Sequence, residues 1–287
     1  MLEVDKTMSG KVCLVTGGTS GIGRETALGL ARKGAHVIIV GRDAARSEET
    51  AKWLKEKTGD NAEFLVADLS SQAQVVKLAS AFKAKHKRLD VLVNNAGGVF
   101  LKRETTAEGF EKTWAFNHLA YFTLTNELLP VLKASSPSRI VSVSSGALAL
   151  GKMDFENLQG EKEYKGFAIY GNSKLANAMF TYALARRLKG TGVTANCLHP
   201  GVVATGFGLN NSGAIKFLLT IFRPFLISPA NGAKTSIYLA SSPEVEGKSG
   251  LYFSKCKPIK SSTISYDEAL QERLWQETER QTAKFVS

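Results

Sequence analysis

Tyr170 and Lys174 stand four residues apart in Tyr170-Gly171-Asn172-Ser173-Lys174, a spacing that puts both side chains on one face of a helix. A free tyrosine has a pKa of about 10 and is a poor base near neutral pH. An ammonium beside it favours the phenolate, and bringing the phenol near 7 takes about 3 pH units, or about 4 kcal/mol. Such a pair can exchange a proton with a reacting oxygen. A hydroxyl is then needed to hold that oxygen, and Ser145, at the end of the strand-like run SRIVSVSS (138–145), is the natural candidate. By itself the pair is a common coincidence, so the remaining residues must decide.

A second group of residues points to an anionic ligand. Thr16-Gly17-Gly18-Thr19-Ser20-Gly21-Ile22-Gly23 lies directly between a short apolar run (11–16, KVCLVT) and a stretch with helical spacing (25–34, ETALGLARKG). Glycines there permit a tight turn, let the backbone approach a pyrophosphate, and let the helix pack against the sheet. The helix N-terminus adds free N–H groups and positive dipole character. The spacing is TGxxxGxG rather than GxGxxG, and no Gly-Lys-Ser/Thr follows, which excludes a P-loop. The end of the second strand then selects the ligand. Where an NAD site places an acid for the ribose 2′-hydroxyl, this chain has Val40-Gly41-Arg42, with Arg46 and Arg24 nearby. A guanidinium there can pair bidentately with a 2′-phosphate. Asp43 falls one or two residues too late for the ribose, so the expected cofactor is NADP(H).

The elements that must position these residues alternate strand and helix. Apolar strand-like runs at 11–16, 35–42, 61–69, 89–97, 138–145, 193–201 and 250–254 are separated by helical stretches. Those cover about 25–34, 43–58, 75–86, 107–133 and 173–189. Strands of continuous rather than alternating hydrophobicity argue for a parallel sheet covered on both faces. No composition shift marks a boundary in the 287 residues, so the expectation is one doubly wound α/β domain over 1–287. It carries an insertion at 151–167 and a lid-like segment at 204–230. With 44% hydrophobic and 22% charged residues the chain falls outside the disordered and fibrous classes. Its three cysteines are far apart without a CxxC pair, which argues against a disulfide framework, and no metal site is expected. The net charge of +11 is scattered among acids, as in Lys55-Glu56-Lys57, which disfavours nucleic acid.

Taken in order, TGGTSGIG at 16–23, Asp68-Leu69, Asn94-Asn95-Ala96-Gly97, Asn117, Ser145, Tyr170-x-x-x-Lys174 and Pro200-Gly201 resemble the short-chain dehydrogenase/reductases over essentially the whole chain. GIGRETA (21–27), NLQGEKEY (157–164), SKLANAMF (173–180), ALARRLKG (183–190) and HPGVVAT (199–205) resemble its retinol-dehydrogenase-like branch. The resemblance implies a Rossmann-type fold and an oxidoreductase. Gly17, Gly21 and Gly23 would line the pyrophosphate with Thr19, Ser20 and Ile22. Arg42 would meet the 2′-phosphate, Asp68 and Leu69 would border the adenine, and Asn95, Ala96 and Gly97 would lie under the adenosine ribose. Asn117 would hold a water near Lys174, and Ser145 rather than Ser144 would be the catalytic serine. Tyr170 would be the acid/base, Lys174 would bind the nicotinamide ribose and lower the tyrosine pKa, and Pro200, Gly201 and Thr205 would shape the nicotinamide pocket.

The interval from Ser145 to Tyr170 is longer than is usual in the family, and the extra length is the 151–167 insertion typical of that branch. Membrane-bound members of the branch carry an N-terminal hydrophobic anchor; MLEVDKTMSG is not one. The expectation is therefore a cytoplasmic protein, with the lid as its one route to peripheral membrane contact. Within that lid, GAIKFLLTIFRPFLI (213–227) is either a mobile cover for a greasy substrate pocket or a plain packed helix. His199 and Cys197 read as structural. The expected function is NADP(H)-dependent interconversion of an alcohol and a carbonyl on a lipophilic substrate. The alternative is a catalytically idle, dinucleotide-binding regulator or scaffold of the same fold.

Overall fold

A computed structural model of the chain describes residues 6–59, 62–201 and 227–286. Eight strands make one sheet: β1 (Val12–Thr16), β2 (His36–Gly41), β3 (Ala62–Val66), β4 (Val91–Asn94), β5 (Ser138–Val143), β6 (Val193–His199), β7 (Tyr252–Ser254) and β8 (Lys257–Ile259). Their order is β3-β2-β1-β4-β5-β6-β7-β8. All run parallel except β8, which pairs antiparallel with β7. Successive strand residues point to opposite faces, and in the central strands β1, β2, β4, β5 and β6 both faces are largely dry, whereas the edge strands β3 and β8 are partly or fully exposed. Leu14, Ile38, Val40, Leu92 and Ile140 form one core with Phe82, Leu128 and Phe180. Cys13, Val15, Val37, Ile39, Val93 and Val141 form another with Leu28, Leu30, Leu54 and Leu239.

The helices on these faces are α1 (Gly21–Arg32), α2 (Ala44–Thr58), α3 (Gln72–Lys85), α4 (Lys112–Trp114), α5 (Ala120–Ala134), α6 (Gly166–Arg187), α7 (Pro229–Ser241) and α8 (Glu268–Thr282). A π-helical turn, Ala115–Leu119, joins α4 to α5. The order of strands reverses between β1 and β4, which opens a crevice at the carboxyl ends of the strands. The fold is the doubly wound one expected.

Several boundaries differ from the sequence expectation, for physical reasons. The helix expected from about 107 starts at Lys112, because Glu111 caps it by accepting from Thr113 N (2.9 Å) and Trp114 N (2.7 Å). The helix expected from 173 begins at Gly166. Its first turns are buried on every side from Ile169 onward, so no amphipathic stripe marks them. Strand β8 and helices α7 and α8 had no counterpart in the pattern. The buried face of α8 includes Gln271, Thr278, Gln281 and Thr282, which hides its period. Most of the 204–230 segment, Thr205 included, lies outside the described residues. Among the described residues no helix is long and apolar enough to cross a membrane.

Candidate active site

The glycine turn is built around Thr16. Its Oγ1 donates to Val93 O (3.2 Å) and accepts from the backbone N–H groups of Asn95 (2.8 Å) and Ala96 (3.0 Å). Asn95 Nδ2 returns a bond to Thr16 O (2.7 Å), so the turn after β1 and the exit of β4 are one unit. Gly17 (φ +63°) could not carry a side chain: a Cβ would come 2.9 Å from Ala96 Cα. At Gly23 a Cβ would run into the Gly17 carbonyl. The close approach of turn, helix and strand that the spacing implies is thus present. Ser20 occupies the N-cap of α1 without a side-chain cap, and the first turn has no acid, so its N–H groups and positive end face the crevice uncommitted. A phosphate fits these residues.

Thr19 of that turn lies against Gly41, and Arg42 follows directly, exposed and without an ion pair among the described residues. Asp43 is engaged elsewhere, capping α2 by accepting from Arg46 N (2.9 Å). Arg24 sits over the Trp53 ring at 4.8 Å and contacts Glu25 at 3.5 Å. Asp68 accepts from Ser70 N and Oγ (2.9 and 2.8 Å) beside the buried Leu69. Asn95, Ala96 and Gly97 continue from β4 toward Lys174.

Helix α6 brings Tyr170 and Lys174 into the crevice, with Ser145 opposite. Tyr170 is buried, with the Ser145 side chain near enough to its hydroxyl to lower its pKa. Ser144 turns the other way, donating its hydroxyl to Lys174 O (2.7 Å) and so fastening α6 to the end of β5. Ser145 Oγ also accepts from Ala147 N (3.2 Å), and the next N–H, of Gly146, donates to His199 Nδ1 (2.9 Å). Because a backbone N–H can only donate, Nδ1 is unprotonated, and burial lowers the His199 pKa; the residue braces the serine loop. Lys174 Nζ donates to Val143 O (3.1 Å) and lies 5.7 and 5.6 Å from the Tyr170 and Tyr121 ring centroids.

Asn117 sits in the π turn, where one extra residue widens the helix; such bulges recur at functional sites. Its Oδ1 accepts from Gly98 N (2.8 Å), and its Nδ2 donates to Gly98 O (2.9 Å) and Ser173 Oγ (2.9 Å). Ser173 Oγ donates onward to Tyr170 O (2.7 Å). A Cβ on Gly97 would lie 3.1 Å from Asn117 Oδ1 and 3.2 Å from Lys174 Nζ, so the strand exit passes directly over both. Ser173 and Tyr121 were not anticipated. Ser173 adjoins Lys174 and Tyr121 follows Asn117 by one helical turn, which are the signals that could have found them.

Burial dominates the electrostatics of the pair. Burial pushes the Tyr170 pKa up to about 12, against a smaller lowering by the Ser145 side chain. Burial also brings Lys174 from 10.5 down to about 7. The spacing implied a lysine that lowers the tyrosine pKa. In the fold, the ammonium is itself stripped of water and bonded to a backbone carbonyl rather than to the phenol. Near neutral pH it is only partly charged, and Tyr170 keeps its proton.

The insertion at 151–167 forms one wall. Tyr164 OH reaches Phe100 O (2.6 Å) and Glu111 Oε1 (3.1 Å), and Gln159 accepts from Glu111 N (2.9 Å). Burial raises the Glu111 pKa, partly offset by its two backbone donors. Leu150 and Phe167 are large apolar groups left 59% and 54% exposed, Leu150 against Gly171, which follows Tyr170, and Phe167 three residues before Tyr170 on α6.

Residues 11–213 match the short chain dehydrogenase family model, and the chain belongs to this family of oxidoreductases. It is 44% identical to Retinol dehydrogenase 12 of Mus musculus over 268 residues, covering 93% of this chain and 84% of that protein. It is also 44% identical to Retinol dehydrogenase 14 of Homo sapiens over 285 residues, with 93% and 85% covered. Among solved structures, an uncharacterised protein from Mycobacterium Paratuberculosis superposes with a TM-score of 0.79 at 29% identity, covering 96% of this chain and 94% of that one. The RhlG/NADP active-site complex of Pseudomonas aeruginosa gives 0.71 at 29% identity, covering 88% and 97%. The retinol-dehydrogenase-like character read from the motifs is shown by these relatives.

Proposed function

We propose that the protein is an NADP(H)-dependent oxidoreductase that interconverts an alcohol and a carbonyl on a lipophilic substrate. The observation that carries the reading is the Tyr170–Ser145 hydroxyl pair backed by Lys174 in a crevice that also opens onto the glycine turn. Gly17, Thr19, Ser20, Gly21, Ile22 and Gly23 would hold the pyrophosphate, and Arg42 the 2′-phosphate. Asp68 and Leu69 would border the adenine, Asn95, Ala96 and Gly97 the ribose, and Pro200 and Gly201 the nicotinamide side, with Thr205 assigned there by the motif alone. When bound, the dinucleotide supplies or accepts the hydride.

The chain's own residues handle the oxygen. Tyr170, kept protonated by burial, is suited to donate its proton to a carbonyl oxygen as negative charge develops there, while Ser145 hydrogen-bonds the same oxygen. Lys174 would hold the nicotinamide ribose. It acts on Tyr170 from one turn along α6, and the strength of that action depends on its own protonation. Asn117 fixes the β4 exit through Gly98 and would carry the water that feeds protons to Lys174. The exposed apolar side chains of Leu150 and Phe167, near Tyr170 in the chain, and the names of the retinol dehydrogenase relatives support a lipophilic substrate.

The test follows NADPH absorbance against retinal, aliphatic aldehydes, steroids and quinones, with the Tyr170→Phe variant alongside. Tyr170→Phe preserves the ring and removes the acid, so it should lower kcat by about 10²–10⁴ while leaving the NADPH dissociation constant unchanged. Near-normal turnover in that variant on a good substrate would overturn the mechanism.

A further inference from the structure

We propose that His36, Glu63 and His86 form a binding site for one divalent transition-metal ion, of the zinc type, at the edge of the sheet opposite the glycine turn. These residues are remote in sequence. His36 opens β2, Glu63 is the second residue of β3, and His86 is the C-cap of α3. In the β2–β3 register Ile38 faces Glu63, so His36 is its diagonal neighbour on the same face, the face that α3 covers. His36 and Arg42 stand at opposite ends of β2, about 20 Å apart at the rise of an extended strand. The site is therefore separate from the candidate active site.

The three side chains converge as ligands would. His36 Nε2 lies 2.9 Å from Glu63 Oε1, and His86 Nε2 lies 3.4 Å from Glu63 Oε2. All three ligand atoms fall within 4.8 Å of one another, the one such grouping of histidine, cysteine and carboxylate among the described residues. A tetrahedral zinc ion with bonds of about 2.0–2.2 Å holds neighbouring ligand atoms about 3.3–3.6 Å apart, so only a small readjustment of the three side chains is needed. The buried Nε2 of His86 makes no hydrogen bond, since its approach to the carboxylate is out of line. A desolvated imidazole nitrogen without a hydrogen-bond partner is disfavoured unless something else satisfies it. Phe82, with ring centroid 4.9 Å away, backs the imidazole from the core side.

The donor set selects the class of ion. Two imidazoles and one carboxylate suit Zn²⁺, Co²⁺, Ni²⁺ or Cu²⁺, whereas Mg²⁺ and Ca²⁺ prefer all-oxygen shells. The His36 and Glu63 side chains are 32% and 40% exposed, which leaves a fourth position for water. The ion would tie β2, β3 and the end of α3 together. The other two histidines are otherwise engaged: His118 with Asn177 and Thr278, and His199 with Gly146.

The experiment uses the full chain, stripped of metal with a chelator and titrated with Zn²⁺ by calorimetry, then with Co²⁺ by visible absorption. The expected result is one ion per chain, d–d bands with Co²⁺, no response to Mg²⁺, and a Tm raised by about 5 °C at 100 times Kd. His86→Ala and Glu63→Gln should each weaken Zn²⁺ binding more than about tenfold, while His199→Ala leaves it unchanged. Glu63→Gln keeps the side-chain volume, so it reports on ligation even if His86→Ala is unstable. Absence of stoichiometric binding to the parent chain overturns the proposal. So does Zn²⁺ binding that survives both substitutions, which would put the ion on other residues. Neither readout depends on turnover, so failure here leaves the oxidoreductase reading untouched.

Discussion

Replacing Lys174 with methionine separates what the buried ammonium does for the reaction from what it does to the fold. Lys174 is 3% exposed, and burial moves its pKa from 10.5 to about 7. Below pH 7 the folded and unfolded chains both carry the proton, and the folded state bears the full desolvation penalty. Between pH 7 and 10.5 only the unfolded chain holds it, so stability rises with pH through that window. Each pH unit is worth about 1.36 kcal/mol, so the parent protein should gain about 2.7 kcal/mol between pH 6 and pH 9 relative to Lys174→Met. Tyr170, at about 12, does not titrate there. The variant loses the bond to Val143 O, which costs about 1 kcal/mol at every pH. Urea unfolding of both proteins without cofactor, at pH 6, 7 and 9, measures the effect, because groups common to both cancel in the difference. Lys174→Met should be at least as stable as the parent at pH 6, lose that advantage by pH 9, and be inactive throughout. A stability difference that stays constant from pH 6 to pH 9 would refute the reasoning, for the lysine would then not be desolvated.

Arg42→Asp should lower the preference for NADP(H) over NAD(H) by a factor of about 30 or more, read from the two dissociation constants; equal affinities in the parent protein would refute the assignment. Ser144→Ala should lower stability by about 1 kcal/mol through loss of the bond to the Lys174 carbonyl, yet reduce turnover less than Ser145→Ala, as urea unfolding and kcat would show. Leu150→Ser and Phe167→Ser should raise KM for long-chain carbonyls and leave short-chain ones unchanged, flattening a chain-length dependence of at most about 0.8 kcal/mol per methylene.

Where the chain repeats a simple physical pattern, the order of residues is enough to read the fold. Strands such as HVIIVG are buried on both faces and so are apolar throughout, which makes the parallel sheet legible from hydrophobicity alone. The turn at 16–23 is legible because a backbone needing positive φ and close approach leaves little choice but glycine. Helix α8 was not legible, because glutamines and threonines on its inner face find partners that only the fold supplies, such as Gln281 for Trp114 Nε1 at 2.9 Å. Motif order singles out Asn117, but not its pair of bonds to Gly98, which join residues 19 positions apart. The effect of burial on Tyr170 and Lys174 is not legible in the sequence for a related reason. Spacing reports which groups are neighbours, and burial decides which of them keeps its charge.

The π turn at Ala115–Leu119 makes the site depend on counting as well as on chemistry. A π turn spends about five residues on a revolution that takes an α-helix about four, so the extra residue is absorbed in the widened turn and the segments on either side keep their bearing. Deleting Ala115 would close that turn while leaving Trp114 near Gln281 and Glu111 near Tyr164 and Gln159, and it would move Asn117 away from Gly98 and Ser173. The cost of a change of length is thereby concentrated on the one amide that clamps the strand exit. Two chains with identical motif residues but one residue's difference in length here would share the walls of the crevice and not that clamp.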